Sequence, residues 1–366
     1  MTLTNYWWLL LWPIIMWICN RLLRFEKEEY VNGQKCIRWS WIGVIIFLIP
    51  LVIWAGWRPN NVGDTGVYRG NFLDMPVGLE NLPNYLSTRE KGKGFVVFEC
   101  FLKTFVSKSD IVFFLIASAI QLILLAAIYR KYSLDFWMSM FLFIASAEYL
   151  SWVFNGMRQF MAVVLIFAAI PLIVKKQYFW IVIVVLFAAL FHSAALIFLP
   201  FIFIINGKAW NWKTLLFIAG IIITVIFIER VSGFIVSSME DTTYESDIDL
   251  YLNDDGTNII RVLFYSIPTV MSWLFRKYID AANDPFINIC TNLSIISTGI
   301  YVISHFTSGL LIGAVPIFFS LTNYILIPWI IQKVFSEKSA ALIKSIFFVV
   351  YTVFFYYQCG PTWGLL

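Results

Sequence analysis

Apolar runs about as long as a bilayer is thick recur along almost the whole of this 366-residue chain, and nothing else constrains its fold as strongly. A helix needs roughly 20 apolar residues to cross the hydrocarbon core, somewhat fewer where the membrane thins. Such runs fall near residues 5–20, 40–57, 110–129, 134–153, 158–174, 178–190, 193–205, 214–229, 259–275, 287–304, 309–331 and 341–358. Only 13% of the residues are charged, about half of what a soluble domain needs to cover itself, so lipid must cover much of the surface. The net charge of +4 is too small to suggest nucleic acid and reads instead as a topology signal.

Lys and Arg in short loops set orientation. Arg21, Arg24, Lys27, Lys35 and Arg38 make the first loop cytoplasmic. Alternation then puts Arg130–Lys131, Lys175–Lys176, Lys208 with Lys213, Arg276–Lys277, and Lys333 with Lys338 and Lys344 on that same side. The expectation is an all-α polytopic membrane protein, one integral membrane domain over 1–366, with about twelve transmembrane helices and both termini outside. The opening residues lack a basic n-region and a small-residue cleavage site, so they read as a retained first span. No internal repeat is visible.

The stretch between Lys176 and Lys208 tests this scheme, because it is apolar yet flanked by basic loops at both ends. A broken hairpin of two short helices over 178–205, turning at Phe191-His192-Ser193, keeps both loops inside. Non-helical backbone at membrane depth must line a cavity or be buried in protein, which places His192 at the floor of a water-filled cleft. Two outer loops are long. Residues 58–109 end in Gly94–Phe105, whose helical apolar spacing predicts an interfacial or re-entrant helix, and residues 230–258 are acidic. The cysteines (Cys19, Cys36, Cys100, Cys290, Cys359) have no metal-ligand spacing. Cys19 and Cys290 read as core residues, while Cys100 and Cys359 share the outer side and are candidates for a pair.

Arg58, Arg69, Arg158 and Arg261 all fall outside, close to predicted helix ends. One reading is snorkelling, with the stem in lipid and the guanidinium at the headgroups. The other is a cluster that forks onto phosphate oxygens. Arg158 stands in Asn155-Gly-Met-Arg-Gln159, which opens directly into an apolar helix, and a helix N-terminus at 157–160 adds partial positive charge there. An anion at the outer leaflet is the implied ligand. Asp64, in Gly63-Asp64-Thr65, is either a helix cap or a general base or orienter of an arginine. Glu148 is an intramembrane carboxylate, functional by default or the partner of an arginine. His192 is a base or hydrogen-bond donor near neutral pH, or a satisfied polar group at a turn, and His305 falls at a second outer turn. Asp247-Ile-Asp249 resembles a metal-holding DxD, but a solvated acidic loop explains it. With no Walker loop, dinucleotide turn, zinc-type His pair or Gly-x-Ser-x-Gly, neither a metal nor a cofactor is expected.

These residues resemble the EpsG/Wzy-type family of bacterial polysaccharide polymerases. The matching pieces are Arg58 followed by Gly63-Asp64-Thr65-Gly66-Val67-Tyr68, then Asn155-Gly156-Met157-Arg158-Gln159, then Phe191-His192-Ser193-Ala194-Ala195-Leu196, and more loosely Arg261 to Pro268. The chain departs from the family at Lys93-Gly94-Phe95, where a Glu usually precedes Gly-Phe (Glu90 is nearby), and at Ala314, where a late arginine is often seen. The resemblance implies a glycosyltransferase of the bacterial inner membrane with its active site facing the periplasm or exterior. It would join undecaprenyl-diphosphate-linked repeat units into O-antigen or exopolysaccharide, with a chain-length regulator as a protein partner. Carried onto this chain, Arg58, Arg69 and Arg158 take the diphosphate with Gln159 and Tyr68 in support, and Asp64 or His192 accepts the hydroxyl proton. Glu148, Arg261 and His305 are further substrate-side candidates. An O-antigen ligase-like transferase shares the donor, and a transporter or flippase for a lipid-linked sugar also suits many spans and a broken hairpin. The charged candidates, however, gather on one face instead of at the midplane.

Overall fold

The computed structural model describes residues 3–31, 34–60, 62–89, 91–239 and 248–363, and it is helical apart from one β-hairpin. In chain order come α1 (Leu3–Leu23), strands β1 (Glu26–Val31) and β2 (Gln34–Trp39), α2 (Trp41–Gly56), α3 (Thr65–Asp74), α4 (Leu82–Ser87), α5 (Lys93–Phe105), α6 (Asp110–Tyr132) and α7 (Phe136–Ala145). A π-helical turn (Tyr149–Asn155) leads to α8 (Met157–Val174), α9 (Tyr178–Phe191), a 3-10 turn (Ser193–Ile197) and α10 (Phe198–Ile205). The rest is α11 (Trp212–Ile226), α12 (Ile228–Met239), α13 (Ile248–Leu252), α14 (Ile259–Leu274), α15 (Arg276–Ala282), α16 (Pro285–His305), α17 (Ile317–Ser320), α18 (Asn323–Val334) and α19 (Glu337–Tyr357).

Among the described residues six helices are long and apolar enough to cross a membrane, three bent pairs qualify jointly, and α2, α9 and the 193–205 segment are shorter apolar helices. The chain is therefore an all-α polytopic membrane protein, as its apolar runs predict. Short polar side chains start the helices where the sequence offers them. Ser40 accepts from Gly43 N, Asp135 from Met138 N, Asn211 from Lys213 and Thr214 N, Asn258 from Ile260 N, and Asp284 from Phe286 and Ile287 N.

The chain forms two compact units, one of Met1–Ala168, Phe187–Ser193 and Phe335–Leu366, the other of Ala169–Leu186 and Ala194–Val334. In the first, α2 packs on α6, and α7 packs on both α1 and α19. Interhelical donors reach across to backbone carbonyls: Trp12 Nε1 to Phe47 O (2.8 Å), Trp137 Nε1 to Pro13 O (2.6 Å) and Tyr149 Oη to Leu51 O (2.5 Å). Three of the basic loops meet at one end of this unit. Arg130 donates to Trp39 O at 2.6 Å and pairs with Glu29, Arg38 donates to Lys131 O at 2.9 Å, and Lys344 lies 2.7 Å from Asp135. The 23 residues of α6 then span about 35 Å to Asp110 at the opposite end. The antiparallel pairing of β1 with β2 was not expected of the first basic loop. The dipeptide Asn32-Gly33 between the strands is the signal for it, because hairpin turns favour that pair. Cys100 and Cys359, candidates for a disulfide, are both free and buried.

The second unit is built around α16, which packs on α11, α14 and α18. Asn288 Oδ1 accepts Ala209 N (3.0 Å), and Asn292 Nδ2 donates to Ile205 O (3.1 Å) and Lys208 O (3.2 Å), tying the 206–211 loop to the start of α16. Thr269 shares its hydroxyl with Ser294 (2.7 Å) and Thr298 (2.8 Å), and Tyr265 stacks on Tyr301 at 4.9 Å. Interhelical hydrogen bonds in a bilayer contribute only about 0.6 kcal/mol each, so close packing holds these helices and the polar bonds set their register. Asn206 Nδ2 donates to Tyr178 Oη at 2.6 Å, closing the open ends of the expected 178–205 hairpin. Of the acidic outer loop, 240–247 lies outside the described residues, and Asp247 of the Asp247-Ile-Asp249 pattern with it.

The basic end and the Asp110 end of the first unit should lie on opposite sides of the bilayer. In a variant lacking native cysteines, Lys131→Cys should label with an impermeant maleimide from one side only, and Ser193→Cys and Asn155→Cys only from the other. Labelling of all three from one side would overturn the topology.

Candidate functional site

The end of the first unit far from the basic loops collects most of the residues singled out above. It starts with Arg58, which stands two residues past the end of α2 and is 1% exposed. Its Nε donates to Ala55 O (2.5 Å), and Nη1 donates to Val153 O (2.7 Å) and Phe154 O (3.1 Å). The guanidinium lies over the rings of Phe114 (4.4 Å) and Phe154 (4.7 Å), where cation–π attraction replaces part of its lost hydration. Burial brings its pKa down to about 9, with Arg69 adding to the fall and Tyr149 and Tyr68 opposing it. It remains charged at neutral pH, and only Nη2 is left without a partner. Arg58 thus clamps the end of α2 to the π-helical turn.

Arg69, on α3, is committed in a similar way. Its Nε donates to Asp110 Oδ2 (2.5 Å), Nη2 to Arg58 O (3.1 Å) and Nη1 to Asn60. It joins the 58–60 turn to the start of α6. Asn155 braces the same region, because its Oδ1 accepts Asp64 N at 2.8 Å. Gly63 has φ +52, and a Cβ there would stand 2.5 Å from that oxygen, so the turn needs glycine twice over. Asp64 occupies the cap position of α3, yet its side chain makes no cap bond and is exposed.

Arg158 is placed differently. It sits in the first turn of α8, half-buried, and both its backbone N–H and its guanidinium bond to the Tyr68 phenol. Tyr68 is buried, its ring against Phe95 at 5.9 Å, and burial raises its pKa, opposed by Arg158. Arg158 Nε is sealed from solvent with no partner. The α8 N-terminus begins where the sequence puts it, so the helix dipole adds positive character at this spot. Gly92 caps α5 at φ +68, and a Cβ there would meet Arg158 Nη1 at 3.0 Å. Two residues on, a Cβ at Gly94 would lie 2.6 Å from Leu190 Cβ and 2.8 Å from its carbonyl. These two glycines let the start of α5 press against the end of α9.

That contact brings His192 into the site. It is the single residue between α9 and the 3-10 turn, and it faces Arg158 and Lys91. Burial, then these two cations, depress its pKa to about 4, so the ring is neutral between pH 5 and 8. Its Nδ1 is buried without a partner. The structure adds one residue that the motifs did not single out. Glu99, on α5, is 3% exposed with Oε1 unpartnered, and burial lifts its carboxyl to about 8 against the pull of Arg158 and Arg89. The available signal is positional, since Phe95, Glu99 and Leu102 form an i, i+4, i+7 stripe that elsewhere is apolar.

The remaining candidates divide between the two units. Gln159 is buried beside Arg158 in sequence, and Glu148 is buried at the 72° break between α7 and the π-helical turn, within electrostatic reach of Tyr351 on α19. Arg261, whose Nε is also unpartnered, and His305, whose Nδ1 is 2.8 Å from Thr257 O, belong to the second unit. Glu90 lies outside the described residues. Among the described residues no group of three or more His, Cys, Asp or Glu is placed to hold a metal. What the cluster can do chemically is neutralise an anion with a guanidinium and two helix N-termini, with a neutral imidazole and a carboxyl alongside.

A family model, the EpsG family, matches residues 40–359. No curated protein and no solved structure matches the chain.

Arg58 and Arg158 should separate in a stability assay. Arg58→Lys keeps the charge but not the fork, leaving buried carbonyls unpaired at a cost of about 2–4 kcal/mol, read as a clear fall in Tm in detergent. Arg158→Lys should change Tm little.

Proposed function

Because the chain belongs to the EpsG family, a family of Wzy-type polysaccharide polymerases, we propose that it joins undecaprenyl-diphosphate-linked oligosaccharide repeat units into O-antigen or exopolysaccharide. In this reading it works at the outer leaflet of the bacterial inner membrane, with the basic loops in the cytoplasm. The observation that carries the reading is Arg158, a guanidinium held by Tyr68 at the first turn of α8 with Nε sealed and unpartnered. A buried donor without an acceptor loses about 1–3 kcal/mol, and a phosphate oxygen would restore it.

Diphosphate is a good leaving group, so the protein has chiefly to position two reactants and absorb charge as the glycosidic oxygen departs. Arg158 and the N-termini of α8 and α5 supply that charge, with Gln159 and Tyr68 in support. Arg58 and Arg69 act one layer further in, holding Val153, Phe154 and the 58–60 turn so that α8 starts where it does. His192, neutral across the physiological range, serves as a hydrogen-bonding partner of substrate. Asp64 is exposed on the Gly63 turn and available to a glycan hydroxyl. A chain-length regulator is the protein partner such an activity calls for.

The deciding experiment incubates purified protein with lipid-linked repeat units, without nucleotide or ion gradient, and resolves products by chain length. A ladder is expected, and Arg158→Ala should reduce it at least about 100-fold while leaving Tm unchanged. A single transfer with no ladder would point to a ligase, and no transfer at all would remove the transferase reading.

A further inference from the structure

We propose that Glu99 is the proton acceptor of the transfer reaction, a catalytic residue that no motif marks; this inference rests on the transferase reading above. Three sealed polar atoms without partners, Glu99 Oε1, Arg158 Nε and His192 Nδ1, come from three separate elements: α5, α8 and the turn after α9. Their side chains are electrostatic neighbours, with Arg158 acting on both Glu99 and His192. Buried polar atoms are seldom left unpaired. A guanidinium with one such atom, and two more on its electrostatic neighbours, mark a place completed by a ligand that offers both acceptor and donor atoms. Phosphate oxygens satisfy Arg158, and a sugar hydroxyl satisfies a carboxylate.

The helix geometry supports the pairing. Gly92, against which Arg158 Nη1 lies, is seven residues before Glu99, two turns away on the same face of α5. Helical side chains lean toward the N-terminus, so the Glu99 carboxyl reaches back toward Arg158. Phe95, one turn before Glu99, packs on Tyr68, which itself bonds Arg158. The charged groups facing Glu99 are Arg158 from α8 and Arg89 from the chain after α4.

In the step, the acceptor hydroxyl oxygen forms a bond to the anomeric carbon of the donor. The bond from that carbon to the phosphate oxygen breaks, and its electron pair leaves on the lipid diphosphate. The hydroxyl proton passes to Glu99, and product release returns it to water. A base with a pKa near the working pH transfers protons best, and Glu99, lifted to about 8, meets that condition better than His192 at about 4.

The base must be ionised, so kcat/KM should fall about tenfold per pH unit below roughly 8 and level off above it. The test measures elongation of lipid-linked repeat units by wild type, Glu99→Gln and Glu99→Ala across pH 5–9, with donor binding measured in parallel. Glu99→Gln should lose at least about 100-fold in kcat with donor affinity retained. Formate should restore part of the activity of Glu99→Ala, which a merely structural role would not allow. A Glu99→Gln enzyme within about threefold of wild type, with the same pH profile, overturns the assignment while the transferase reading stands. Absence of elongation by wild type overturns both.

Discussion

Backbone that leaves helical geometry inside a membrane protein must find partners within the protein, because lipid offers none. The span formed by α7 and the π-helical turn breaks by 72°, and the carbonyls of Val153 and Phe154 at its far end are met by Arg58 from the end of α2. A buried cation is costly unless it is paired or hydrogen-bonded, and here three carbonyls and two aromatic faces compensate it. Everything at this end of the first unit is referenced to that clasp. It sets where the π-helical turn ends, hence where α8 begins, hence where Arg158 stands.

The arginines therefore divide by depth. Arg58 and Arg69 spend their donors on carbonyls, on Asp110 and on Asn60, and they shape the site. Arg158 has a single protein partner of note, the Tyr68 phenol, and keeps a sealed donor in reserve. A cluster of like charges in a half-buried place would repel if each were unpaired. Pairing two of them with the frame leaves the third for the incoming anion of the proposed reaction.

Much of this was legible in the sequence, for identifiable reasons. The apolar runs announce their helices because hydrocarbon tolerates nothing else of that length, and Ser40, Asp135, Asn211, Asn258 and Asp284 announce starts because a short acceptor is needed there. The break at His192 followed from the basic loops on either side of 178–205. What could not be read was which arginine turns inward, since the carbonyls that claim Arg58 are 95 and 96 positions away and belong to a turn whose irregularity no local pattern encodes. Glu99 was hidden for a related reason: a lone carboxylate in an amphipathic helix reads as facing water until the packing of α3 and α8 against that face is known. The hairpin of β1 and β2 carries no long apolar window, although Asn32-Gly33 announces such a turn.

The π-helical turn has a consequence for length. Its Gly156 N bonds Ser151 O, five residues back, so the segment holds an extra residue per turn relative to an α-helix. Adding or removing one residue with the winding unchanged would rotate all that follows by about a quarter turn, carrying the Arg158 side chain off Tyr68 and away from the start of α5. Between Tyr149 and Arg158 the spacing matters as much as the side chains, and this stretch should tolerate substitution far more readily than insertion or deletion.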